Sequence, residues 1–307
     1  MRRFAPLMVL AALVGAGTAP TSATPGDGTA SADGTSTAAS GTFTALTYNI
    51  AGLPEPLSGS NPAENTPVIG ERIAPYDVVH VQEDFNYHAA LYEADDHPHR
   101  TATSGGVPFG SGLNTLSNFP IPEFERVTWD DCWINQADCL TPKGFTFSRV
   151  DIADGVSVDF YNLHADAGDS SLDHGARRSN LRQLSDHIAT HSRDRPVVVM
   201  GDTNSRYTSG DDIVREFVAE NGLRDPWVEL VHDGVPPEIG GPSPECDTAT
   251  IDRCEVVDKI FYRGGDGLEL TATDYSDDRA DFLDDTGERL SDHDPIAATF
   301  RWTPPAR

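Results

Sequence analysis

Several apolar runs in this chain stop at a carboxylate, an amide or an imidazole. The run 42–50 ends at Asn49, 77–83 ends at Gln82 and Glu83, and 195–204 ends at Asp202 and Asn204. The second arm of 144–165 ends at Asn162, His164 and Asp166, the run 256–263 carries Asp258, and Ser291-Asp292-His293-Asp294 stands just before 295–302. Polar groups at strand ends line clefts in α/β folds. Glu83, Asp202, Asp292 and Asn49 offer hard oxygens of the kind that hold Mg²⁺, Mn²⁺ or Ca²⁺. His293 and His164 titrate near neutrality and suit proton transfer. An oxygen-rich divalent site beside two imidazoles is equipment for phosphoester hydrolysis, because the cation neutralises phosphate and lowers the pKa of a water.

Those residues need a scaffold, and the pattern around them supplies one. The runs 42–50 and 77–83 are strand-like, the second short and β-branched. A further strand pattern covers 112–121 and ends at Pro120. The segment 144–165 reads as a hairpin with Asp154-Gly155 at its turn. Leu181, Leu184 and Ile188 recur at helical spacing, which predicts an amphipathic helix over 179–191. The runs 195–204, 256–263 and 295–302 complete the strands. Strands and helices are interspersed and the hairpin makes the sheet mixed. The expectation is an α/β fold: a four-layer α/β sandwich of two packed mixed β-sheets with helices outside. No internal repeat is present.

The chain has 307 residues, with 49 Asp+Glu against 22 Lys+Arg, a formal net charge of −27. It is long enough to bury a substantial core. A hydrophobic content of 38% excludes a helical membrane protein, and 13 Phe, 8 Tyr and 4 Trp exclude a disordered acidic tail. A basic nucleic-acid-binding module is excluded as well, since the overall field repels phosphate. An enzyme that meets phosphate through a bound cation is not. Met1-Arg2-Arg3, the short apolar run 4–16 and the small residues up to Ala23 form a secretory signal pattern, so residues 1–23 are expected to be a signal peptide. The Gly-, Ser-, Thr- and Ala-rich stretch 24–42 reads as a flexible linker, and 43–303 as one catalytic domain. The protein is therefore expected to be secreted and extracellular. Four cysteines suit that compartment, and their short spacings favour the local loops Cys132–Cys139 and Cys246–Cys254. A zinc site is the rival, but C-x-x-C spacing is absent.

The segments LTYNIAGLP, VVHVQEDF, YNLHADAG, MGDTNS, DKIFY and LSDHDPIAATF stand in an order and spacing that resemble the endonuclease/exonuclease/phosphatase superfamily, whose fold is similar to pancreatic-type deoxyribonuclease. The resemblance covers about residues 43–303. SNFPI (117–121), CLTPKGFTFSRV (139–150), RSNLRQL (178–184) and His164 are similar to the secreted bacterial neutral sphingomyelinase (phospholipase C) branch.

Residue by residue, the resemblance implies a divalent cation, Mg²⁺ with Mn²⁺ or Ca²⁺ as alternatives, on Glu83 with Asn49 nearby. It implies metal and phosphate contact at Asp202 and Asn204, a general base at His293, and an Asp258 that holds the His293 ring. Asp292 would support metal or water, and His164 the transition state or the leaving group. Attack would be in line, without a covalent intermediate. Asp166 departs from the amide usual at its place, which leaves a metal or Arg contact open for it. The other eight histidines, His80, His88 and His187 among them, have no motif support and read as structural or solvated. Arg177, Arg178 and Arg182 read either as cleft-flanking cations or as solvated helix charges.

The implied partner is a phosphodiester substrate: a lipid head group or other phosphoester, with nucleic acid as the alternative. The rival activities are an extracellular endonuclease and a phosphatase acting on a soluble phosphoester. A non-catalytic binding protein on the same fold is disfavoured by the complete motif set. The chain is expected to act as a monomer without stable membrane insertion. Membrane-active members of the branch carry an aromatic hairpin before the Ser-Asp-His segment. Here 268–294 has Tyr275 and Phe282 but no Trp, and 266–294 holds eleven Asp and Glu against Arg279 and Arg289. That stretch reads as a solvated acidic loop or a Ca²⁺ site, repelled by anionic membranes.

Overall fold

The computed structural model describes residues 40–105, 109–242, 244, 246 and 248–304. The expected signal peptide, and the expected linker up to residue 39, lie outside the described residues. The first half runs β1 (Gly41–Asn49), α1 (Pro62–Ile73), β2 (Val78–Gln82), α2 (His88–Ala94), β3 (His99–Arg100), β4 (Asn114–Ser117), β5 (Glu123–Thr128), β6 (Gly144–Ala153) and β7 (Val156–His164). The second runs α3 (Ser171–His191), β8 (Val197–Asp202), α4 (Val214–Glu220), β9 (Asp258–Arg263), β10 (Glu269–Asp277) and β11 (Ile296–Thr303). β1 begins inside the stretch expected to be linker.

Two mixed sheets result. The first has the order β10-β11-β1-β2-β4-β3, the second β5-β6-β7-β8-β9. Alternation along β1 decides how they pack. Phe43 and Ala45 point into the core between the sheets, where Phe43 meets Phe160 of β7 at 5.9 Å. Leu46 and Tyr48 point the other way, onto Ile69 and Ile73 of α1 and Leu91 of α2. The second sheet buries its outer face against Leu181, Leu184 and Ile188 of α3 and Phe217 of α4. The layers are helix, sheet, sheet, helix, as the sequence pattern predicted.

Three local readings change. α3 starts eight residues before the predicted helix. A capping box at Ser170 and Asp173 begins it, with Ser170 Oγ accepting the Asp173 N–H at 3.3 Å and Asp173 Oδ2 accepting the Ser170 N–H at 2.8 Å. The predicted strand 112–121 is only β4, after which the chain crosses to the other sheet. The acidic stretch is no solvated loop at its start: Glu269–Asp277 is an edge strand paired antiparallel to β11. Its aromatics face inward, Tyr275 being 8% and Phe282 2% exposed. Arg279 pairs with Asp277 and Asp294, and Arg289 with Asp294, so part of the acidity is neutralised on the spot. The β6–β7 hairpin turns at Asp154-Gly155 as predicted, with Gly155 at φ 73°. Both disulfides form as the spacings suggested, Cys132–Cys139 and Cys246–Cys254.

Candidate active site

Strand register builds the site. His164 ends β7 directly opposite Asp202 at the end of β8, and Asp202 is opposite Asp258 at the start of β9. Three neighbouring strands thus align three titratable side chains in a row. Gly201 keeps the first pair close: a Cβ there would stand 2.2 Å from the Leu163 carbonyl oxygen. From the other sheet, Asn49 ends β1 beside Gln82 of β2, and Glu83 follows at once. Behind them Gln82 donates to Asn162 across the sheets at 2.8 Å, and Asn162 donates to the Val81 carbonyl at 3.0 Å. Gln82 and Asn162, read from sequence as cleft residues, are instead buried stitching between the layers.

The side chains converge on Asp202. Its Oδ2 accepts from Asn49 Nδ2 at 3.1 Å, lies 3.2 Å from His164 Nε2 and 3.8 Å from His293 Nε2. Its Oδ1 accepts the Asn204 N–H at 3.0 Å. Asn49 Nδ2 also reaches Glu83 Oε1 at 3.3 Å, so one amide bridges both carboxylates. His293 Nδ1 is 2.8 Å from Asp258 Oδ2, which fixes the ring and leaves Nε2 toward Asp202. Ser291 Oγ donates to the Asn49 carbonyl at 2.7 Å and accepts the His293 N–H at 3.2 Å, tying the His293 loop to β1. Glu83 and Asn204 both adopt left-handed backbone, φ 58° and 48°. Such conformations cluster at functional sites.

The electrostatics follow from burial and charge. Burial pushes His164 down to about 3, so it is neutral at ordinary pH. Burial opposes charge on His293, yet the Asp258 and Asp202 carboxylates outweigh it and hold the imidazole up at about 11. Burial raises Asp258 to about 6. Burial also works to raise Asp202, but the rings of His164 and His293, with Lys143 and the Asn204 amide, hold it below the ordinary carboxylate range. With His164 neutral, the cation that matters beside Asp202 is His293. Glu83 is pushed up by burial and by Asp202, against the pull of Lys143 and Asn49.

These residues fit a hard divalent cation. Glu83 and Asp202 are two carboxylates held together by one amide, with Asp258 next in the row and one of its oxygens buried without a hydrogen-bond partner among the described residues. Asp202, Asp258 and His293 offer ligand atoms within 4.8 Å of one another. Asn49, by contrast, turns Nδ2 to the carboxylates and gives Oδ1 to the Ala51 N–H, a positioning geometry. The Asn204 side chain donates to the Ala165 carbonyl at 3.2 Å. Asp292 is exposed, and among the described residues its carboxylate meets the Ser291 hydroxyl at 3.4 Å.

Two clefts flank the centre. One, about 330 Å³, is lined by Trp129, Asp138, Leu140, Lys143 and Asp166. The other, about 480 Å³, is lined by Arg206, Asp258, Asp292 and His293. Lys143, which pairs with Asp138 inside the Cys132–Cys139 region, was not singled out from sequence. Its charge reaches Glu83, His164 and Asp202. The signal for it was the Lys-Gly-Phe segment. Asp166 accepts the Trp133 N–H at 2.7 Å, and burial pushes its carboxyl up to about 6. Arg177 meets the Asp166 carbonyl and the Asp212 carboxylate, each at 3.0 Å, and is buried. It is structural, and Arg178 donates to the Asp211 carbonyl.

Two mixed sheets between helices, with acids and imidazoles gathered at their strand ends, define a deoxyribonuclease-like α/β sandwich. The chain belongs to the Endonuclease/Exonuclease/phosphatase family 2, whose family model matches residues 66–234. It is 40% identical over 272 residues to a sphingomyelinase of Mycobacterium bovis, covering 86% of this chain and 53% of that protein. The chain thus spans about half the length of the curated relatives it matches. Among solved structures, a mutant beta toxin of Staphylococcus aureus with bound magnesium ions superposes with TM-score 0.58 at 18% identity, covering 83% of this chain and 98% of that one. A humanized TDP2 of D. rerio superposes with TM-score 0.62 at 19% identity, covering 84% and 98%. At those identities the likeness is one of fold.

Proposed function

We propose that this chain is a secreted, Mg²⁺-type metal-dependent phosphodiesterase that acts like a sphingomyelinase of the phospholipase C kind. The observation that carries the reading is the Asp258–His293 pair beside Asp202, in one cluster with Asn49 and Glu83. The 40% identity to a sphingomyelinase supports the substrate class. Glu83 and Asp202 would hold the cation, with Asn204 and Asp292 at its margin and Asn49 orienting both carboxylates. A bound cation would neutralise phosphate charge, lower the pKa of a water and offset the charge of Asp202, which with Asp258 holds His293 protonated.

In its neutral form, reached once the nearby carboxylate charge is offset, His293 would accept the proton of the attacking water at Nε2, while Asp258 holds Nδ1–H so that Nε2 keeps the lone pair. His293 is 21% exposed at its side chain, enough to meet substrate, while His164 is 2% exposed. His164, neutral and buried with Nε2 3.2 Å from Asp202 Oδ2, would steady that carboxylate as charge builds on the phosphoryl group. Lys143 adds fixed positive charge from the other cleft. Export through the segment 1–23 is supported by the two disulfides, which suit an oxidising compartment. No helix among the described residues is long and apolar enough to cross a membrane.

The test is purified protein on sphingomyelin, phosphatidylcholine, phosphatidylinositol and plasmid DNA, with Mg²⁺, Mn²⁺, Ca²⁺ or EDTA. Release of phosphocholine that EDTA abolishes and Mg²⁺ restores is the expected result. Nicking of plasmid without lipid cleavage would overturn the substrate class, and activity indifferent to chelators would overturn the mechanism.

A further inference from the structure

Away from the cleft, three side chains of types able to ligate a metal meet near the surface. Glu125 comes from β5, and His187 and His191 from the end of α3. Their ligand atoms lie within 4.8 Å of one another. His187 Nε2 stands 3.2 Å from Glu125 Oε2, and the two imidazoles stack with centroids 3.7 Å and planes 6° apart. The i, i+4 spacing puts both rings on one helix face. The three form a ligand group of their own and line neither of the clefts that flank the catalytic cluster.

Each ring is oriented for a ligand. His191 Nδ1 lies 3.2 Å from the His187 carbonyl and 2.9 Å from Thr190 Oγ1, which leaves Nε2 for a ligand. A backbone carbonyl on the second ring nitrogen is the usual support of a metal-bound histidine. His187 is nine-tenths buried, 10% exposed at its side chain. Its ring lies against Phe145 at 4.9 Å and Tyr161 at 5.7 Å, and Nδ1 is buried without a hydrogen-bond partner among the described residues. That turns Nε2 out to Glu125.

We propose that Glu125, His187 and His191 form a surface site for a first-row transition-metal ion, Zn²⁺ in preference, with water in the fourth position. Two imidazoles and a carboxylate are a donor set suited to zinc rather than to Mg²⁺. Tetrahedral bonds of about 2.0–2.2 Å put ligand atoms roughly 3.3–3.5 Å apart, close to the His187–Glu125 separation. Glu125 is 51% exposed and His191 is exposed, so both side chains are able to rotate inward. The ion would tie β5, the edge strand of its sheet, to α3.

The experiment is zinc titration by calorimetry on the full chain carrying His293→Ala, which disables the catalytic cluster as a competing site, with Mg²⁺ in excess. One equivalent of Zn²⁺ is expected. Adding His191→Ala or Glu125→Gln, both at exposed positions, is expected to weaken binding on the order of 100-fold with the circular dichroism spectrum unchanged. Hydrogen exchange of the β5 amides should slow with Zn²⁺ only in the chain that keeps all three ligands. Zinc uptake equal in the parent and both variants, or none up to millimolar metal, overturns the site.

Discussion

The Asp258→Asn substitution separates catalysis from stability at one atom pair. In the native protein Asp258 Oδ2 stands 2.8 Å from His293 Nδ1, and both groups are largely buried. The amide presents two faces. If its oxygen accepts from Nδ1–H, the tautomer survives, but the negative charge that stabilises the imidazolium is gone. If its NH₂ turns to the ring, Nδ1 becomes the acceptor, Nε2 carries the proton, and His293 no longer serves as base. A positioned general base is worth about 10²–10⁴ in rate, or about 2.7–5.5 kcal/mol of barrier, and the wrong tautomer takes the loss to the upper end. Folding stability should hardly move. Burial already pushes the Asp258 carboxyl to about 6, so at pH 8 the substitution removes a buried charge, and His293, freed of that charge, deprotonates without strain. A change of about 1 kcal/mol, or ~2–4 °C in Tm for a chain of this size, is the expected ceiling. The assay is phosphocholine release from sphingomyelin micelles at saturating Mg²⁺, beside thermal melts. Turnover within tenfold of the parent, with the fold intact, would refute His293 as base oriented by Asp258.

Three other outcomes follow from the geometry. Gly201→Ala drives a Cβ to 2.2 Å from the Leu163 oxygen, so it should cost about 1–3 kcal/mol or more in melts and lower activity further, because His164 and Asp202 are the next residues on both strands. Lys143→Ala removes the charge that reaches Glu83, His164 and Asp202 and should lower kcat/KM about 10- to 100-fold in steady-state kinetics; because it leaves the buried Asp138 carboxylate without its cation, Tm should fall as well. His97 faces acceptors at both nitrogens, Asp95 Oδ1 at 2.5 Å and the Tyr76 carbonyl at 2.6 Å; burial opposes its charge, but these partners hold it above its ordinary value while Asp95 is held below. The His97 contribution is therefore full below pH ~6.5 and lost as pH rises through its folded pKa, and the Asp95 contribution is present above ~3.9 and lost as pH falls through its own. Melts from pH 5 to 9 should show His97→Gln least different from the parent at the alkaline end.

Strands whose apolar residues go into the core could be read directly from sequence: the 42–50, 77–83 and 195–204 runs are β1, β2 and β8 give or take a few residues. β10 was hidden because its alternation is written in Thr, Asp and Glu, and only pairing with β11 makes it a strand. The front half of α3 was hidden because it is polar, although Ser170 and Asp173 carry the capping-box pattern. At the site, the motif residues Asn49, Glu83, His164, Asp202, Asp258 and His293 come together. What the motifs did not carry was direction: that Asn49 offers its NH₂, that Asn204 spends its side chain on Ala165, and that Asp292 faces solvent. Lys143 stands in the CLTPKGFTFSRV segment, but that its charge reaches Glu83, His164 and Asp202 depends on the fold and is not written in that segment. His187 looked like an ordinary structural histidine until α3 and β5 brought His191 and Glu125 beside it.

The hydrogen bond from Ser291 to the Asn49 carbonyl joins residues 242 apart. At about 5–20 residues per second, a ribosome needs roughly 12–50 s to cover that distance. Throughout, β1 has been made while its neighbour β11 has not, so one side of a central, apolar strand waits bare. The catalytic row is likewise incomplete until Asp258 and His293 emerge. Synthesis therefore leaves the candidate site unassembled, and one edge of a central strand bare, until the last part of the chain is made.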